Sequence, residues 1–344
     1  MEKKKCLLCR DRIANKTNSH LVPSFIVANV CSYDDSGKRD KEVMFTITPQ
    51  KTKLYTGRNI PDTKIEEIID TETLTDERID TELSANTVSM DYIFCSECEK
   101  SIGAVLETPY SAYIKGGKTI SPDISFFFWI SVVWRMSISK RFGFELPIEL
   151  ETKLGILLNQ YIILKENGET QYNLNQFIKE VNIYYKILRC PSFLPKNSGF
   201  IGAIYKKEDK ILSLNLGDIL VCFPFNGYIP EDYNFFGAEK AFIDAKNNYG
   251  IEPEHIFEVS DVFMNTLNSN FIKTIAHDRA MYYWKIANVV WKKLGLKGTM
   301  PVEIFQHCMD SLLSEQKKIG DRHTYNNIVK VLGQTLCDFG ILSQ

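Results

Sequence analysis

The chain has 344 residues, more than one small domain needs and enough for about two. Apolar residues make up 44% and charged residues 24%, and the formal net charge is −2, a globular balance in which nucleic-acid binding would need a local patch. The longest apolar run, Ile124 to Trp134, spans 11 residues before Arg135, short of the roughly 18 that a membrane helix requires.

The N-terminal "MEKKKC" is basic, but no apolar core follows it, so no signal peptide and a cytoplasmic location are expected. Cys6-Leu-Leu-Cys9 comes next, then a basic stretch and Ser19-His20-Leu21-Val22-Pro23. Glu42–Thr48 and Lys53–Thr56 read as short strands around a Pro-Gln-Lys turn. Between Pro61 and Glu99, twelve acids face only Lys64 and Arg78, so an acidic insertion is expected at about 61–91. It reads as a solvated surface excursion, with a partner-docking arm or a cover for a basic site as sharper readings. "DYIFC" then leads into Cys95-Ser-Glu-Cys98, and a helix is expected over 96–114, broken near Pro109.

Ser121-Pro122-Asp123 starts a helix running to about Phe142, with Phe126, Trp129, Ile130, Val133 and Trp134 on its inner side. Helices are expected at 147–165 and 173–188, and two or three antiparallel strands between Gly199 and Phe225. Ser260–Leu294 carries apolar residues at helical spacing and is stopped by Gly295-Leu-Lys-Gly298. Pro301 opens another helix, and Arg322–Phe339 forms the last.

Nine cysteines in a reducing compartment are not expected to form disulfides. Two residues between cysteines let both sulfurs face one ion from a tight turn, and two such pairs complete the tetrahedral sulfur shell of structural zinc. The metal ligands read from this spacing are Cys6, Cys9, Cys95 and Cys98. The remaining cysteines read as small core residues, with Cys31 close enough in sequence to be a spare ligand. Because 85 residues separate Cys9 from Cys95, the ion would clamp both ends of a long excursion. A site filled by four protein sulfurs holds a fold together and does no chemistry of its own.

Cys6-x-x-Cys9, His20-Leu21-Val22-Pro23 and Cys95-x-x-Cys98-Glu99-Lys100 together resemble HNH endonucleases of the four-cysteine, treble-clef (ββα-metal) type. More narrowly, they resemble bacterial HNH-like proteins with Ser-His-x-x-Pro and Cys-x-x-Cys-Glu motifs. In those proteins a helical domain follows, with a Trp-Arg pair in its first long helix, here Trp134-Arg135. The motifs cover residues 6–103; beyond them the likeness is one of layout.

The fold this implies is α+β. A zinc-knuckle module at 1–115 with the acidic insertion precedes a larger, mainly helical domain at 116–344 with a short antiparallel β patch at about 199–226. The resemblance casts His20 as the general base and a divalent Mg²⁺ or Mn²⁺ as stabiliser of the leaving oxygen. The family's metal-ligand positions fall on Ser19 and Glu99. Asn86 would orient the histidine, with Asn15 and Asn18 equally available, and Arg10, Arg12, Lys16 and Lys100 would hold phosphates of DNA or RNA. The implied setting is bacterial defence or a mobile element. The second reading is a degenerate module, with His20 capping the knuckle or filling the zinc shell. It would bind nucleic acid, a protein partner or a second copy through the helical domain.

Overall fold

The computed structural model describes residues 4–31, 43–47, 52–56, 88–116, 119–181, 183–194, 199–231, 233–315 and 325–342. The expected acidic insertion lies almost wholly outside them.

The architecture is mixed helix and strand, and its centre is one helix. Helix α4 (Pro122–Ser139) is buried on nearly every face, because each face meets a different neighbour. Phe128 stacks on Tyr110 of α3 (Thr108–Ile114) with ring centroids 3.8 Å apart. Phe127 stacks on Tyr161 of α5 (Ile148–Glu166) at 3.9 Å. Trp134 stacks on Phe94 at 5.8 Å. The apolar run that ends at Arg135 is therefore a core helix. Among the described residues, no helix is long and apolar enough to cross a membrane.

The break expected near Pro109 is absent. Helix α2 (Ser96–Ile102) passes through a π-helical segment (Gly103–Glu107) into α3 without leaving the helical path. The Thr108 N–H bonds the Gly103 carbonyl, five residues back, and Pro109 follows directly on this wider turn, within the first turn of α3.

The strands expected at 42–48 and 53–56 form the antiparallel pair β2 (Val43–Ile47) and β3 (Thr52–Thr56). Those expected between 199 and 225 form β6 (Phe200–Lys206), β7 (Ile211–Leu216) and β8 (Ile219–Pro224), a meander. They are more than a patch. With β5 (Lys186–Arg189) and β9 (Ile256–Glu258), all five join β2 and β3 in a seven-stranded sheet of order β3-β2-β6-β7-β8-β5-β9. Pairings are antiparallel except β2 with β6 and β5 with β9. Both β7 and β8 are buried along their whole length, which explains their near-continuous apolar sequence.

The helix expected over 173–188 is α6 (Gln171–Val181), and it stops short. Residues 186–189 are extended because Ile187 and Leu188 are buried between β8 and β9, and that burial overrides helix propensity. β2 and β3 fall within the first 115 residues by number, yet hydrogen bonding places them in the sheet of the later residues.

Beyond α7 (Glu239–Asp244), helix α8 (Asp261–Lys293) spans 33 residues, about 50 Å at 1.5 Å per residue. The Ser260 hydroxyl caps it, and Gly295, at φ +77°, follows its end. Its first half packs Met264, Leu267, Phe271 and Ile275 into the main core. Its second half packs Tyr283, Ile286 and Trp291 into a separate core with α9 (Val302–Glu315) and α10 (Tyr325–Asp338).

Helix α1 (Ser24–Cys31) fixes the N-terminal segment to the sheet. Val30 packs against Gly217 in the β7–β8 turn, where φ is +83° and an added Cβ would lie 2.8 Å from a Val30 methyl.

Candidate metal centre and adjoining His20 site

Two tight turns bring the thiols together. In the first, the Arg10 N–H bonds the Cys6 carbonyl at 2.9 Å, with Arg10 at φ +58°. The Cys6 N–H closes the loop on the Arg12 carbonyl at 2.8 Å, beside a bridge between Lys5 and Ile13. The second turn is sewn to the first by the backbone. Leu7 N–H bonds the Ile93 carbonyl at 2.9 Å, Lys16 N–H the Phe94 carbonyl at 3.0 Å, and Tyr92 N–H the Lys16 carbonyl at 2.8 Å. Cys95 is the N-cap of α2, its sulfur accepting from the Cys98 N–H at 3.4 Å.

The sulfurs of Cys6, Cys9, Cys95 and Cys98 lie within 4.8 Å of one another, and all four are free thiols. A Zn–S bond of about 2.3 Å requires tetrahedral sulfurs about 3.8 Å apart, so the donor set and its spacing are compatible with a structural zinc ion. The surroundings divide the two pairs: Cys6 and Cys9 are held below their ordinary values, Cys95 and Cys98 above them. The hydrogen bond from Cys98 pulls the Cys6 thiol down to about 4 and pushes Cys98 up in return. Arg12 donates to the Cys98 sulfur at 3.6 Å, and the sulfurs of Cys9 and Cys98 hold its guanidinium above its ordinary value. Among the described residues, no other group of three such donors is gathered as closely.

Beside the thiols stands a strand–strand–helix unit. β1 (Ser19–His20) pairs antiparallel with β4 (Ser89–Met90), Ser19 opposite Met90 and His20 opposite Ser89. Helix α2 follows from Cys95. Asn15 takes both the backbone N–H and the hydroxyl of Ser96, at 2.9 and 3.0 Å. Asn18, at φ +55°, accepts from the Ser89 hydroxyl at 2.6 Å and donates its N–H to Asp91 at 2.6 Å. Those two asparagines therefore lock the unit together. Asn86 lies outside the described residues.

His20 on β1 and Glu99 on α2 are both half-buried and share three charged neighbours: Lys16, Glu107 and Arg135. Burial pushes the His20 imidazole below its ordinary value. Glu107 opposes that fall, while Arg135 and Lys16 reinforce it. Burial raises the Glu99 carboxyl, and Arg135 and the nearby Ser19 hydroxyl work against the rise. That hydroxyl is fully buried and makes no complete hydrogen bond, so it faces Glu99 as a weak donor.

Arg135 is the centre of the cluster, and its side chain is 2% exposed. Its Nη1 donates to Glu107 Oε1 at 2.6 Å and to the His20 carbonyl at 2.8 Å, and its Nε donates to the Ser131 carbonyl at 3.3 Å.

The four residues expected to hold phosphate are dispersed. Lys16 joins the His20 cluster. Arg12 turns to the sulfurs and approaches Glu97 at 4.0 Å. Arg10 lines a groove of about 520 Å³ with Lys5, Leu7, Trp134, Ile138 and Glu151. Lys100 is exposed on α2. Two residues now central to the site, Glu107 and Arg135, were not among the expected site residues; Arg135 entered the motif reading only through the Trp134-Arg135 pair. Arg135 carried a signal, since a charge ending a largely apolar helical run must find a buried partner. Glu107 carried none.

No known protein family, curated protein or solved structure matches the sequence.

Proposed function

We propose that the β1–β4–α2 unit, clamped by a four-cysteine zinc ion in the treble-clef manner, is an HNH-like phosphodiester hydrolase acting on DNA or RNA. The observation that carries this reading is the convergence of a half-buried His20 with its imidazole held below the ordinary value, and a Glu99 carboxylate, on the charged neighbours Lys16, Glu107 and Arg135. A neutral imidazole at neutral pH is a competent general base. His20 takes a proton from water, the water oxygen bonds to phosphorus, and the bond from phosphorus to the leaving sugar oxygen breaks, that oxygen taking a proton from solvent. Lys16 offers a cation to the phosphate. Mg²⁺ is commonly held by one carboxylate with water and substrate oxygens, so Glu99 fits as its protein ligand; such an ion would stabilise charge on the leaving oxygen.

One observation favours a second reading. Arg135 already places a permanent cation beside Glu99 and Glu107, the charge a divalent ion would otherwise bring. On that reading the unit binds nucleic acid or a protein partner without cutting.

Nicking of supercoiled plasmid with Mg²⁺ or Mn²⁺ separates the two. The hydrolase reading expects metal-dependent nicking that falls by roughly 10²–10⁴ in His20→Ala, the usual worth of a general base. Retention of DNA by the wild type without cleavage under either metal gives the binding reading.

A further inference from the structure

We propose that Arg135 is the positioning residue of this site: through one nitrogen it fixes strand β1 by the carbonyl of His20 itself and ties it to Glu107, so that it sets both where the imidazole stands and which charges face it. The inference deepens the hydrolase reading but draws its main support from contacts that hold whatever the site does.

The geometry is specific. Nη1 makes both bonds, 2.8 Å to the His20 carbonyl and 2.6 Å to Glu107, so β1 and the π-helical segment are joined through a single atom. The guanidinium is held from behind by Nε on the Ser131 carbonyl, one turn earlier in α4. Trp134 beside it stacks on Phe94, a further contact between α4 and the N-terminal unit. The remaining nitrogen, Nη2, is buried with no hydrogen-bond partner, a cost tolerated when a side chain is held by its other bonds.

The π-helical turn has a reason here. Glu107 is its last residue, and the i→i+5 step re-aims the residues after it relative to a regular helix. Three elements thus send charge to His20: Glu107 from the π segment, Arg135 from α4 and Lys16 from the chain before β1. Glu99 on α2 faces the same three. Of these, Arg135 alone also touches the backbone of His20.

A merely structural arginine and a positioning one differ in a measurable way. Removing either end of the Arg135–Glu107 pair breaks the same ion pair, but the two ends act on His20 with opposite sign. The probe is the His20 imidazole, followed by NMR titration of the full chain without substrate, using His20→Gln to assign its signal among the five histidines. Arg135→Gln leaves Glu107 unopposed, and the His20 midpoint is expected to rise by on the order of one pH unit. Glu107→Gln leaves Arg135 unopposed, and the midpoint is expected to fall. Glu107 is partly exposed, so this second variant tests the inference even if the first does not fold. Arg135→Lys keeps the charge and should return the midpoint toward wild type. A midpoint that stays put in both variants, or moves the same way in both, overturns the assignment. Because the readout needs no cleavage, it separates this failure from that of the hydrolase reading. If plasmid is nicked, Arg135→Lys should lower kcat with little change in KM.

Discussion

Two small structures are attached to the main core, and they are held by different means. At one end, residues 4–23 and 88–102 form the thiol-bearing turns and the β1–β4–α2 unit; at the other, the end of α8 packs with α9 and α10. The C-terminal lobe has its own apolar core, including Trp291, Ile304, Leu312, Val331, Leu332 and Leu336. The N-terminal unit has none: Leu8, Leu21, Val22, Ile93 and Phe94 belong to the main core. What is local to it is a set of backbone bonds and four sulfurs within 4.8 Å. One region has an apolar core of its own; the other shares the main core and adds four sulfurs that could hold a metal ion. The second device can be taken away without touching the first.

The largest effect should come from doing so. Binding of a structural zinc ion is worth about 10–16 kcal/mol in finger peptides, comparable to the whole stability of a domain. Chelation, or Cys98→Ser, is expected to strip hydrogen-exchange protection from residues 4–23 and 88–102 while α9 and α10 keep theirs. Equal loss in both regions would mean that the contrast is false.

The converse perturbation is smaller. Leu332, fully buried in the lobe, should cost about 2–5 kcal/mol on truncation to alanine. Melting followed at the lobe should fall in temperature, with the zinc content of the protein unchanged.

The core between the two regions should respond to pH instead. Glu254 accepts from Tyr185 at 2.7 Å, Tyr110 at 3.1 Å and Trp129 at 3.2 Å, all neutral donors. Burial pushes its carboxyl up to about 7 from an ordinary 4.5 despite those bonds. The folded state therefore holds a proton that the unfolded state releases near 4.5. The resulting stability is complete below that value and is lost as pH rises through about 7. Denaturant midpoints at pH 5 and pH 8 should differ by on the order of 2 kcal/mol, with that part of the difference absent in Glu254→Gln. A wild-type difference unchanged by the substitution would assign the effect elsewhere.

The contrast between the regions also explains what the sequence could disclose. Ligand spacing is local, so two Cys-x-x-Cys pairs announced the thiol cluster across an 85-residue gap. Helical periodicity is local too, and α8 was legible from Ser260 to its glycine stop. Pairings between distant segments have no such trace. Nothing in Val43–Ile47 says that it lies parallel to β6, and nothing in Lys186–Arg189 distinguishes a short inner strand from the end of a helix. The site divides in the same way. His20 and Glu99 stood out by motif, but Glu107 and Arg135 lie 28 residues apart on different helical segments, and only packing joins them. Pro109 misled because a π-helical turn precedes it and the helical path continues through it.

The most direct measurement is the metal content of the protein purified without chelator, by native mass spectrometry, beside Cys6→Ser and Cys95→Ser. One zinc ion per chain in the wild type and none in either variant is the expected result. A wild-type chain free of zinc, or variants that keep it in full, would contradict the sulfur clamp and remove the support on which the His20 site stands.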